Sequence, residues 1–131
     1  MDIILAHATE ILLLIFLTIT FLQSGIDKIL DWKGNLGWLT GHFSESIFKG
    51  SVPLLLGVIL IMEMLSGMLS AVGIIQFFID GESAIGFYGA VLSSATLLML
   101  LLGQRIAKDY EGARTIVVYL IPAAFLVYLM Q

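Results

Sequence analysis

From Ala84 to Gly103 the chain carries no charged side chain, and from Thr115 to Met130 it carries none either. Crossing about 30 Å of hydrocarbon takes roughly 20 helical residues. In lipid every backbone N–H and C=O must be satisfied inside the structure, so runs of this kind fold as spanning helices. Two more apolar runs, about 3–30 and 52–79, are broken only by Glu10, Asp27 and Lys28 in the first and Glu63 in the second. The sequence therefore predicts an all-α integral membrane protein. Residues 1–131 form a single four-helix transmembrane domain, with spans at about 3–30, 52–79, 84–103 and 115–130.

Composition points the same way. Hydrophobic residues make up 60% of the chain and charged residues 12%, whereas a soluble domain carries about a quarter charged residues. A body of 131 residues has too little interior to hide that much apolar surface. The lipid bilayer is thus the first partner. The 6 basic residues form no stripe, which excludes nucleic acid. No cysteine is present, so disulfides, thiolate metal sites and attached c-type haem are excluded. His7 and His42 belong to opposite ends of the first span and its loop, so no metal site is expected, nor any cofactor held within the chain. Met62, Met64 and Met68 read as packing residues. A cleaved signal peptide is not expected, because no basic residue precedes the first apolar run.

Four spans put both termini on one side. All 6 basic residues, Lys28, Lys33, Lys49, Arg105, Lys108 and Arg114, fall at the other end, with the loops 31–51 and 104–114. Cytoplasmic loops hold the excess of Lys and Arg, so both termini are expected outside the cytoplasm. In the first loop Trp32, Leu36, Leu39 and Phe43 share one helical face, which Gly34, Gly37 and Gly41 weaken. Such a segment either lies amphipathic among the headgroups, anchored by Trp32 and Trp38, or folds as a flap over a cavity. Ser51 and Pro53 mark the start of the second helix. Pro122 should bend the fourth.

The charges inside the spans carry the functional information. A carboxylate facing lipid near the centre of a span costs roughly 2.5–3.5 kcal/mol. Glu63 therefore faces protein or a water-filled cavity, or holds a proton. Ser66, Gly67 and Ser70 share its face. The first span answers with Thr20, Gln23, Ser24 and Asp27, and Lys28 lies on the flank. Gly25, Gly67, Ser70, Gly86, Gly89, Ala90 and Ser93 are small enough to let helices pack closely. With a rise of 1.5 Å per residue, Glu63 stands about 15 Å from the start of its helix and about 8 Å from the level of Lys28. A snorkelling lysine covers much of that gap. Gln23, Ser24, Asp27, Lys28, Glu63 and Ser66 are the candidate ligand-binding residues; no catalytic residue is assigned. Glu10, near the terminal end, is expected to be wetted or to bond Thr9 or His7.

"SGIDKILD" at the end of the first helix and "LIMEMLSGMLSAVG" in the second resemble the DoxX family of small bacterial membrane proteins. Ser24, Gly25, Lys28, Glu63 and Gly67 match its pattern. The resemblance implies four membrane helices in the bacterial inner (plasma) membrane, which with the charge rule makes both termini periplasmic. It also implies, for some members, a subunit of a membrane oxidoreductase that passes electrons to quinone. Many members carry a histidine near the third helix, and "AIGFYGAVLSSATLLMLLLG" has none.

Three functions follow as expectations. The first is an accessory subunit of a quinone-linked oxidoreductase or respiratory assembly, with quinone the one cofactor in view. The second is a structural or assembly subunit, in contact with other membrane subunits or with copies of itself. The third is a small proton-coupled transporter using Glu63, which ranks last because no inverted repeat with broken helices is visible. The segregation of basic residues gives the first test. A fluorescent reporter that matures only in the cytoplasm, fused to the C-terminus, should stay dark; a bright fusion would reverse the orientation.

Overall fold

The computed structural model describes residues 2–131. A short helix α1 (Asp2–Ala6) leads into α2 (Ala8–Leu30), followed by α3 (Trp32–His42), α4 (Val52–Asp80), α5 (Ala84–Ile106) and α6 (Tyr110–Met130). The 4 helices α2, α4, α5 and α6 are long and apolar enough to cross a membrane. Large apolar side chains such as Leu12, Ile61, Leu98 and Ile121 stand exposed on them. A water-soluble bundle would bury those residues. This is the all-α, four-span bundle that the hydropathy pattern predicts.

Local chemistry sets the helix ends. α1 and α2 are almost one helix: His7 N–H donates to Ile3 O and His7 O accepts from Ile11 N across the single break at His7. Asp31 caps α3 by accepting from Gly34 N at 3.3 Å. Ser51 occupies the cap of α4, but its side chain makes no capping bond; Pro53 in the first turn has no N–H to satisfy. Gly81, at φ 76°, closes α4 in the left-handed conformation that suits glycine. Asp109 accepts from Gly112 N at 2.9 Å, so α6 begins at Tyr110, ahead of the expected Thr115. α5 likewise runs on to Ile106. α6 continues through Pro122, at the cost of one backbone bond.

α4 packs between α2 and α5, while α6 packs on α5 and closes less tightly on α2. Leu14, Leu17, Phe21, Leu97, Ala123 and Leu126 form the core between them. The seam of α4 and α5 is built from small residues. Gly73 faces Gly86, Ser70 faces Gly89, and Ser66 Oγ lies 3.4 Å from Thr96 Oγ1. Ser66, Ser70, Ala90, Ser93 and Thr96 are fully buried along it. Without water to expel between helices, such close approach and hydroxyl bonding hold a membrane seam together.

The α2–α4 seam fixes a different relation. A Cβ on Gly25 would strike Met64, and one on Gly67 would meet Leu22 Cγ at 2.7 Å. These antiparallel pairs put Glu63 beside the last two turns of α2. The first two turns of α4 therefore project past the end of α2 by about 10 Å, and α3 folds against this overhang.

The close contacts predict opposite outcomes for two glycine substitutions. On Gly73→Ala the added methyl falls on the Gly86 backbone, which cannot yield as a side chain could; stability should drop by about 1–3 kcal/mol. Gly37→Ala meets nothing within 4 Å and should be neutral or stabilising by up to about 1 kcal/mol through helix propensity. Denaturation of both variants in mixed micelles would check the contrast. A silent Gly73→Ala would mean that the seam is looser than described.

Candidate functional site: a buried ion pair between two cavities

Lys28 and Glu63 meet directly. Nζ lies 2.8 Å from Glu63 Oε1, and the two side chains are 18% and 3% exposed. The helix overhang brings them to one level, so the vertical gap that equal helix starts would give does not exist. Lys28 curls back along its helix and donates to Ser24 Oγ at 2.8 Å. The same ammonium is the partner of the buried Glu63 Oε1, so one nitrogen serves both the hydroxyl and the carboxylate.

On one side of the pair lies a cavity of about 280 Å³, with Lys28 in its wall. Asn35, Trp38 and Leu39 of α3 roof it, and Leu56, Ile59 and Gly103 line it from α4 and α5. Lys28 is its one charged lining residue; Asn35 and Gln104 add amides. The roof is fastened at its far end. His42 Nε2 is 2.9 Å from Gln104 Oε1 and 3.7 Å from Asp109 Oδ2, and its ring stacks on Trp38 at 4.5 Å. The first loop thus forms a helix that covers a cavity, in line with the flap alternative; its apolar and polar residues are only weakly segregated.

On the other side lies an open cleft of about 340 Å³ between α2 and α6. Thr20, Gln23, Ser24 and Asp27 give it a polar wall, and Glu63 lines it as well. Of the six candidate residues, Gln23, Ser24, Asp27 and Glu63 border this cleft, whereas Lys28 borders the cavity under α3. Ser66 borders neither; it is buried against Thr96. The seven small residues taken for packing, Gly25, Gly67, Ser70, Gly86, Gly89, Ala90 and Ser93, are all buried. Glu10 bonds His7, as expected.

A flap over a cavity is one of the two forms the sequence allows for this loop, but spacing within each helix says nothing of the overhang of α4 that makes room for the cavity. Trp38, Phe43 and Phe48 were its available signal: a loop this aromatic needs something to cover. No group of three or more His, Cys, Asp or Glu suited to a metal ion occurs among the described residues. The chain matches no family profile, no curated protein and no solved structure.

The pair itself can be tested by a double-mutant cycle. Removing one partner leaves the other buried and uncompensated, the costly case for an ion pair. Glu63→Gln and Lys28→Met should each lower stability in detergent by up to about 3 kcal/mol, and the double variant should recover part of that loss. Strictly additive losses would show that the 2.8 Å contact carries no coupling.

Proposed function

We propose that the chain is a DoxX-like accessory subunit of a quinone-linked oxidoreductase or respiratory assembly in the bacterial inner membrane, its termini periplasmic. The observation that carries this reading is Lys28, paired with Glu63 behind it, in the wall of a mostly apolar cavity. Sites for lipid-soluble ligands are mostly apolar, with few polar groups to orient the head. Lys28 presents an ammonium donor to a carbonyl oxygen there, and the amides of Asn35 and Gln104 offer further donors. A quinone head is a flat, apolar ring with two carbonyl acceptors, so its chemistry fits. The chain itself supplies no redox centre, so electrons would come from a partner subunit.

A second reading is a structural or assembly subunit. It is favoured by the closed set Ser24–Lys28–Glu63, which fixes the register of α2 on α4 whether or not a ligand is present.

One experiment separates the two. Trp38 lines the cavity, so in a Trp32→Phe background its fluorescence should be quenched saturably by decylubiquinone. The Lys28→Met/Glu63→Gln double variant should lose at least about tenfold in apparent affinity, equal to about 1.4 kcal/mol. Lipid extracted from the purified native assembly should contain quinone. Non-saturable quenching, together with a stoichiometric complex free of quinone, would sink the ligand reading in favour of the assembly role.

A further inference from the structure

No residue of α3 is buried, although the helix roofs the cavity beside Lys28. Gly34, Gly37 and Gly41 all lie within it, and only proline forms helix less readily than glycine. Gly34 has a local reason: a Cβ there would strike the Asp31 carboxylate that caps the helix. Gly37 and Gly41 have none, since a Cβ on either would meet nothing within 4 Å. A helix without a buried side chain, with two glycines that packing does not demand, is weakly held. That is the physical profile of a segment that opens locally.

Its ties are gathered at the two ends. At the near end the chain itself holds it: Asp31, at φ −132° and ψ 53°, is the single non-helical residue between α2 and α3. At the far end side chains hold it. His42 Nε2–H donates to Gln104 Oε1 at 2.9 Å and stands 3.7 Å from Asp109 Oδ2, while its ring lies on Trp38. The receiving side carries strain. Lys108 has φ 62°, the one left-handed residue other than glycine among the described residues, and that conformation is costly for a lysine. Asp109 N–H donates to Gln104 O at 2.9 Å, so the turn folds Asp109 back beside Gln104 and both acceptors meet one imidazole. Asp109 Oδ1 also accepts from Gly112 N–H and caps α6. The acceptors of His42 are thus anchored in α5 and α6.

We propose that α3 is a latched lid. With His42 bonded to Gln104 and Asp109 it covers the cavity; when that contact breaks it swings about Asp31. The segment between α3 and α4 takes up the motion, being a string of single turns: Ser46 N–H on Phe43 O, Lys49 N–H on Ser46 O and Ser51 N–H on Phe48 O. Trp38, Leu39 and Phe43 leave the cavity wall together, because all three ride on the lid or its cap. Lid opening then limits how fast a ligand enters and leaves. This consequence rests on the reading of the cavity as a quinone site; the motion of α3 does not.

The chain has no cysteine, so introduced cysteines alone take labels. Nitroxides on Gly37→Cys, which faces open space, and on the exposed Glu111→Cys report the distance from lid to α6 in micelles without ligand. The native latch should give one population. His42→Ala should add a second at longer distance, and His42→Gln, which keeps an N–H donor near the place of Nε2, should restore the single one. In the Trp32→Phe background, decylubiquinone quenching of Trp38 should develop and reverse about tenfold faster in His42→Ala, the size of one net hydrogen bond. Rates are compared because removing the ring from Trp38 alters the amplitude as well. A flexible bis-maleimide joining Gly41→Cys to Ala107→Cys, which line one surface hollow, should slow both rates. Unchanged distances in His42→Ala, or exchange rates that neither the latch nor the crosslink alters, would overturn the latched lid. Absence of decylubiquinone binding in every variant would instead defeat the quinone reading, and the label distances would then decide on the lid alone.

Discussion

The contact of Lys28 with Glu63 organises the basic end of this molecule. A lysine near a helix end has an easy alternative, which is to extend its head to water. Here it turns inward instead, because α4 overshoots α2 and brings a carboxylate to the same level. The turn has two consequences. It ties α2 to α4 by charge as well as by the Gly25–Met64 and Gly67–Leu22 contacts. It also sets a polar partition between an apolar cavity and a polar cleft, so each takes its character from the side of the pair it borders.

That arrangement depends on a seam elsewhere. Gly73 and Gly86 let the backbones of α4 and α5 touch, and Ser70 against Gly89 continues the contact toward Ser66 and Thr96. α4 and α5 are thus the most closely joined pair of the bundle. α2 and α6 then pack on either side of it, and their mutual seam is the loosest because neither brings a glycine-lined face to the other. The polar residues of α2 that α4 does not use, Gln23 and Asp27, are left bordering that gap. Tight packing on one seam and an open cleft on another are thus linked results of where the small residues lie.

Much of this was legible in the residues. Period and hydropathy fix the four spans, because length and polarity leave a membrane helix few alternatives. The helical spacing of Glu63, Ser66 and Ser70 places them on a buried face, and the small residues of α5 answer that face. Ser66 shows the limit of the method. Spacing puts it on the same side of α4 as Glu63, but a helix face about 100° wide spans two neighbours, and Ser66 belongs to α5 while Glu63 belongs to α2. α6 starts ahead of its charge-based boundary for a related reason. Arg114 reads as a loop residue by charge, yet a basic side chain in the first turn can extend to water while Asp109 caps the helix behind it.

Relative helix height is what sequence could not give. Periodicity assigns a face to each residue and says nothing of how far one helix slides along its neighbour; that is settled by knobs and notches such as Met64 in the space above Gly25. The slide decides the geometry of the pair and of the spaces beside it. Had α2 and α4 begun at one level, Glu63 would have stood deep in the bundle beyond easy reach of a lysine. α3 would have had no overhang to fold against, and the space it covers would not exist. A shift of one helical turn, about 5.4 Å, separates a buried ion pair flanked by two cavities from an isolated carboxylate beside a snorkelling anchor. The glycines at positions 25 and 67 therefore act on the pair from outside it: by setting the register of α2 on α4, they determine that Lys28 finds Glu63 at all.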